Sequence, residues 1–274
     1  MAELYGSDAY APSEIAARIE AVGVAKARLP LRQMLLLGLL AGAFVGLGAL
    51  FHVIVVSDTT LGFAASRVLG GVAFSLGLLL VVVAGAELFT GNNLLAMAWA
   101  DGRITTTELL RNWAVVCLAN LVGALGLALL VYWSGHAQMN QGGVGQAYVK
   151  IAAAKCAMPW QEAFLKGVLC NLLVCAAVWM AMAGRSVVDK AIAIVFPITA
   201  FVAAGFEHSI ANMYLIPLGG LLQASGTVVP GAAEISVAGY VGNLLPVILG
   251  NLVGGSVLVG LVYHLIYGRR ESPG

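Results

Sequence analysis

A chain of 274 residues that is 61% hydrophobic and only 10% charged, with a mean hydropathy of +0.95, lacks the polar surface a soluble fold needs and reads as a polytopic membrane protein. Its net charge of +1 argues against a nucleic-acid or strongly acidic partner. Cys117, Cys156, Cys170 and Cys175 lie mostly in apolar runs without C-x-x-C or metal-ligand spacing, so they read as small core residues, and no metal or cofactor is expected.

The opening MAELYGSDAYAPSEIAARIEA lacks the basic n-region and apolar h-region of a signal peptide. It reads as an amphipathic helix from about Pro12 to Ala27, capped by Ser13 and lying on the membrane surface, within a cytoplasmic segment 1–30. Apolar runs follow near 31–56, 68–100, 109–133, 163–183, 191–222 and 240–267. A spanning helix needs roughly 20 residues. The pattern therefore predicts an all-α membrane protein with six transmembrane helices over 31–268 and a short cytoplasmic tail at 269–274. The second and fifth runs exceed one span. Each is read as two half-helices around a midplane break, tolerated only where protein or a cavity covers the backbone. The Gly- and Gln-containing stretch Gly135–Gln161 is the main non-cytoplasmic connection. Arg18, Lys26, Arg28, Arg32, Arg103, Arg111, Arg185, Lys190, Arg269 and Arg270 fall on one side, against Arg67, Lys150, Lys155 and Lys166 on or near the other. That bias puts both termini in the cytoplasm of a cell with an inner membrane.

Gly85-Ala-Glu-Leu-Phe-Thr-Gly-Asn92 returns as Gly205-Phe-Glu-His-Ser-Ile-Ala-Asn212, sharing G-x-E-x-x-x-x-N, with one copy in each long run. Asn120-Leu-Val-Gly123 in span three likewise returns as Asn251-Leu-Val-Gly254 in span six. Two copies of a three-span unit must enter the membrane from opposite sides, which makes an inverted three-plus-three repeat, and matching interruptions in its halves point to a transport site. Gly38, Gly42, Gly46, Gly250 and Gly254 at four-residue steps suit close helix packing.

Each second half-helix begins near the midplane, where its free N–H groups and positive dipole end attract anions. Glu87 and Glu207 could carry protons or tie down the N–H groups of the break. Their presence in both copies favours the structural role, shared with Gly85, Gly205, Asn92 and Asn212 as a brace. His208 stands apart. Its counterpart is Leu88, while His52, His136 and His264 fall near span ends or loops. Its titration range suits proton exchange with a weak-acid anion. Thr90, opposed by Ile210, offers a hydroxyl at the same depth; Asn171 is a candidate amide partner for the imidazole; Lys155 at the outer mouth could attract anions or simply be solvated.

Ala86-Glu-Leu-Phe-Thr-Gly91, Asn171-Leu-Leu-Val-Cys175, Gly205-Phe-Glu-His-Ser-Ile-Ala-Asn-Met213 and Asn251-Leu-Val-Gly-Gly255 resemble the formate/nitrite transporter family along nearly the whole chain. The resemblance implies an aquaporin-like protomer assembled as a homopentamer with one pore each. It implies a central histidine, here His208, supported by Thr90 and Asn171, and an anion-attracting vestibule with Lys155 and Glu207. Phe74, Leu78, Leu88, Phe89 and Phe201 would form two apolar slits. Gly184-Arg-Ser-Val-Val-Asp-Lys190 and Asn243-Leu-Leu-Pro246 look more like the formate branch, whereas Thr90-Gly-Asn92 departs from it, leaving nitrite, hydrosulfide or broader monocarboxylate passage as alternatives.

The expected activity is transmembrane passage of a small monovalent weak-acid anion, formate first, with a proton supplied through His208 or with protonated His208 stabilising the anion. A neutral-solute channel lacks the Asn-Pro-Ala signature. An intramembrane enzyme lacks a G-x-S-x-G elbow or an H-E-x-x-H helix, and adjacent His208 and Ser209 would diverge by about 100° on a helix. A purely structural subunit leaves the midplane His and Glu unexplained.

Overall fold

The computed structural model describes residues 9–268; the tail at 269–274, with Arg269 and Arg270, lies outside the described residues. The helices are α1 (Pro12–Ala27), α2 (Leu31–Val56), α3 (Phe63–Leu79), α4 (Leu95–Ala100), α5 (Thr106–Trp133), α6 (Gly143–Cys156), α7 (Trp160–Ala183), α8 (Val187–Ala204), α9 (Ser209–Ala224), α10 (Val237–Leu252) and α11 (Val262–Tyr267). Six segments are long and apolar enough to cross a membrane, and among the described residues there is no strand beyond one isolated bridge between Ala9 and Gly184. The protein is a multi-pass, all-helical membrane protein. α3 runs through a widened turn at Leu80–Gly85 before the chain breaks and resumes as a tight turn, Gly91–Leu94, leading into α4. The second break is shorter, between Ala204 and Ser209.

Each half holds the three spans expected, the second of them broken, and adds one short helix. α2 packs on α3 and α5 as α7 packs on α8 and α10, and α1 packs on α4 as α6 packs on α9. α1 therefore belongs to the first repeat, and its counterpart α6 occupies the stretch expected to be a connection. Val144, Tyr148, Val149 and Ala152 bury one side of α6, and the Tyr148 hydroxyl meets that of Tyr214 at 2.8 Å. The apolar face of α1, carrying Ile15, Ala16, Ile19, Gly23 and Ala27, is buried against the protein instead of being presented to lipid. Its N-cap is Ala11, whose N–H is accepted by the Glu14 carboxylate at 2.7 Å; Ser13 lies inside the first turn and caps nothing. A proline at the first helical position needs no N–H partner, which is why Pro12 opens the helix.

Small residues set the helix spacing. A side chain on Gly42 would collide with the Asn120 carbonyl, and one on Gly254 with that of Val168, so each half closes around a glycine–backbone contact.

Candidate functional site

Both breaks open on a glycine in the left-handed region, Gly85 at φ +89° and Gly205 at φ +76°, a conformation that costs other residues free energy. After the first, Ala86 turns extended, and the carboxylates of Glu87 and Glu207 enter matched networks. Lys26 Nζ donates to Glu87 Oε1 at 2.7 Å, and Lys155 Nζ to Glu207 Oε1 at 2.7 Å. Asn92 Nδ2 donates to Glu87 Oε2 and Asn112 Oδ1, as Asn212 Nδ2 donates to Glu207 Oε2 and Asn243 Oδ1. Asn112 and Asn243 in turn donate to the carbonyls of Lys26 and Lys155. Each buried charge thus has an opposite charge and an amide, the arrangement that makes a carboxylate tolerable at low dielectric.

The carboxylates do not tie down the N–H groups of the breaks, and Asn92 and Asn212 do not cap them. That work falls to Asn120 and Asn251. Asn120 Oδ1 accepts from Phe89 N–H at 2.9 Å while its Nδ2 donates to the carbonyls of Gly38 and Glu87. Asn251 does the same for Ser209 N–H and the carbonyls of Gly167 and Glu207. The repeated Asn-Leu-Val-Gly string carried this signal, since an amide buried twice in apolar spans needs partners. Lys26 gave no such signal, because on sequence it was one more positive charge beside a span.

Symmetry fails where Leu88 faces His208 and Thr90 faces Ile210. Thr90 Oγ1 lies 3.0 Å from His208 Nε2, and Ala211 N–H donates to His208 Nδ1 at 3.2 Å. A backbone N–H can only donate, so Nδ1 holds a lone pair; the neutral ring carries its proton on Nε2 and donates it to Thr90. Charging the ring would set an Nδ1–H against the Ala211 N–H at the positive end of α9. Asn171 does not reach the imidazole. Its Nδ2 faces the carbonyls of Thr90 and Asn251, at 3.2 Å and 2.7 Å, and Asn93 Oδ1 at 2.7 Å, so it fixes the Thr90 backbone instead.

Two cavities approach this pair. One, of about 490 Å³, is lined by Lys26, Glu87, Leu78, Val81 and Leu88. The other, of about 480 Å³, is lined by Lys155, Glu207, Arg67, Phe74, Phe201 and His208. Phe74 stands edge-on to Phe201, with ring centroids 5.6 Å apart, and Phe201 lies face to face with the imidazole at 5.9 Å. Leu78 and Leu88 on the wall of the first cavity and Phe74 and Phe201 on that of the second are all at most 7% exposed. Phe89, buried as well, lines neither cavity, and neither does Thr90. Lys155 is not a solvated loop lysine, since its side chain is 14% exposed. Arg67, read from sequence as a topology marker, reaches the second cavity while its guanidinium donates to the carbonyls of Val202 and Ala203.

Comparison with known proteins agrees along the whole chain. A formate channel of Escherichia coli (strain K12) is 40% identical over 276 residues, covering 97% of each chain. A solved structure described as a pentameric formate channel with formate bound superposes with a TM-score of 0.81 at 36% identity, covering 87% of this chain and 98% of that one. An aquaglyceroporin from Plasmodium falciparum, at 16% identity and a TM-score of 0.50, covers 85% of this chain and 99% of its own, and shares the fold alone. The family model for formate/nitrite transporters matches residues 13–265, and the chain belongs to that family.

Proposed function

We propose that this protein passes small monovalent weak-acid anions, formate first, across the inner membrane, with both termini cytoplasmic, as a homopentamer with one pore per protomer. The names of its relatives support formate and the pentamer, and the charge bias supports the orientation. One observation carries the mechanism: two cavities, each walled by a lysine–glutamate pair, meet an apolar septum in which His208 and Thr90 are paired.

A bare carboxylate entering such a septum loses hydration on the order of tens of kcal/mol in the Born limit. A neutral acid loses far less. An anion drawn to the cavity of Lys155 and Arg67 supplies the negative charge that lets His208 Nδ1 accept a proton from the solution on that side, releasing Ala211 N–H. The imidazolium then returns a proton to the carboxylate oxygen, formic acid crosses between Leu78 and Leu88, and the neutral ring resumes its bonds to Thr90 and Ala211. Proton uptake is thereby coupled to anion arrival. Passage rather than catalysis is also supported by Ser209, whose hydroxyl is buried without a hydrogen-bond partner among the described residues while both imidazole nitrogens are engaged elsewhere.

Uptake of labelled formate into proteoliposomes at two pH values, with nitrite, hydrosulfide and acetate as competitors, tests this reading. Formate is expected to compete best and His208→Asn to abolish the pH dependence. Unchanged pH-dependent flux in that variant rules out the proton-exchange step, and preferred hydrosulfide or nitrite uptake reassigns the substrate.

A further inference from the structure

On the face where α1 docks, Glu20 of α1, Asp101 at the end of α4 and His264 of α11 bring one ligand atom each to within 4.8 Å of the others. Glu20 is 3% exposed, and among the described residues its Oε1 has no hydrogen-bond partner. Nor does His264 Nδ1, which lies 3.8 Å away, too far for a hydrogen bond. Burying an unsatisfied carboxylate oxygen is costly. Arg103 does not answer it: its guanidinium stands 3.8 Å from the other oxygen, Oε2. Asp101 adds a second carboxylate at the C-terminal end of α4, where the helix dipole is already negative. Two carboxylate oxygens and one imidazole nitrogen thus lie within 4.8 Å of one another, and one of those oxygens is buried without a partner among the described residues.

We propose that Glu20 Oε1, His264 Nδ1 and a carboxylate oxygen of Asp101 form a binding site for a first-row divalent transition cation of the Zn²⁺ type, which staples α1 to the ends of α4 and α11. One imidazole with two carboxylates suits Zn²⁺, Co²⁺ or Ni²⁺, whereas Mg²⁺ and Ca²⁺ prefer all-oxygen shells. Tetrahedral ligands on Zn²⁺ stand ~3.3 Å apart, from bond lengths of ~2.0–2.2 Å, so the Glu20–His264 gap has only a few tenths of an ångström to close. A solvent molecule completes the shell, since Asp101 and His264 are half-buried and leave one side open. No sequence spacing announces this site, because its ligands come from three distant segments. The same helix carries Lys26, so the cation would fix the element that walls one cavity.

Purified, untagged full-length protein, stripped with chelator, is titrated with Co²⁺ as a visible-absorption probe and then with Zn²⁺ in competition. One cation per chain is expected, with ligand-field bands that Zn²⁺ erases. Removing a first ligand should cost at least the roughly 100-fold that losing a ligand's own supporting partner can cost, so Asp101→Asn and His264→Gln each weaken binding by that factor or more. Glu20→Gln does the same, and if that buried change prevents folding, the other two variants decide. The absence of saturable binding, which makes the trio a plain histidine–carboxylate cluster, overturns the proposal. Undiminished binding in both Asp101→Asn and His264→Gln, which puts the cation elsewhere, overturns it too.

Discussion

Thr90 is fully buried and lines neither cavity, so the imidazole Nε2–H is directed at its hydroxyl and loses that acceptor when the hydroxyl is removed. Thr90→Val keeps the shape and deletes the hydroxyl, leaving a buried donor unmade at a cost of about 1–3 kcal/mol. If that cost is felt at the septum, formate flux in proteoliposomes drops by about tenfold, the factor that goes with ~1.4 kcal/mol, while Thr90→Ser stays near the parent. Equal flux in Thr90→Val and the parent removes Thr90 from the pathway. His208 and Thr90 could be found in the sequence because each is a polar residue set against an apolar counterpart, Leu88 and Ile210, between the shared Glu and Asn of the paired motif. Asn171 was legible as a buried polar residue but not in its partners, which belong to Asn93, Thr90 and Asn251 on other elements and converge only in the fold. The same holds for Lys26: its distance from Glu87 in the chain hides an ion pair that its counterpart, Lys155 with Glu207, repeats.

Among the elements, the breaks were readable because a spanning run cannot be 33 residues of straight helix when its middle carries Gly-x-Glu; the turn itself demands the glycine. The two glycines differ, however, in what surrounds them. A methyl at Gly205 meets the Arg67 guanidinium at 2.8 Å, whereas one at Gly85 meets nothing within 4 Å. Both alanine variants bear the left-handed penalty of about 1–2 kcal/mol, and only Gly205→Ala also displaces Arg67 from its bonds to Val202 and Ala203. Thermal unfolding of the purified variants should therefore rank Gly205→Ala below Gly85→Ala, and the reverse order contradicts this reading of the second break. α6 was missed for a different reason. Its 14 residues are too short to span, begin at a pair of glycines and hold polar residues on the open side, so its buried Val144, Tyr148, Val149 and Ala152 do not stand out as a run. Amphipathicity marked α1 correctly as a one-sided helix, yet a one-sided pattern cannot say whether lipid or protein covers the apolar face.

For the whole molecule, the inverted repeat would give a passage that looks alike from both sides, with α1 and Lys26 on one face mirrored by α6 and Lys155 on the other. The centre breaks that equivalence. His208 lines only the cavity that holds Lys155 and Arg67, and its pseudo-equivalent Leu88 lines only the cavity that holds Lys26. On the proposed mechanism, proton exchange at His208 is therefore a one-sided event, governed by whether Phe74, Phe201, Leu78 and Leu88 close the way between the two cavities. This can be read directly in a background from which Cys117, Cys156, Cys170 and Cys175 have been removed. In vesicles of single orientation, a small membrane-impermeant thiol reagent should label His208→Cys rapidly from the Lys155 side and at a small fraction of that rate from the Lys26 side. Leu88→Cys should show the opposite preference. The two positions are related by the pseudo-twofold, so a symmetric, water-continuous pore would label both from both sides at similar rates. A septum that closes the passage to water makes the two cysteines report opposite solutions, and under the proposed mechanism it is this separation that makes an anion cross as its neutral acid.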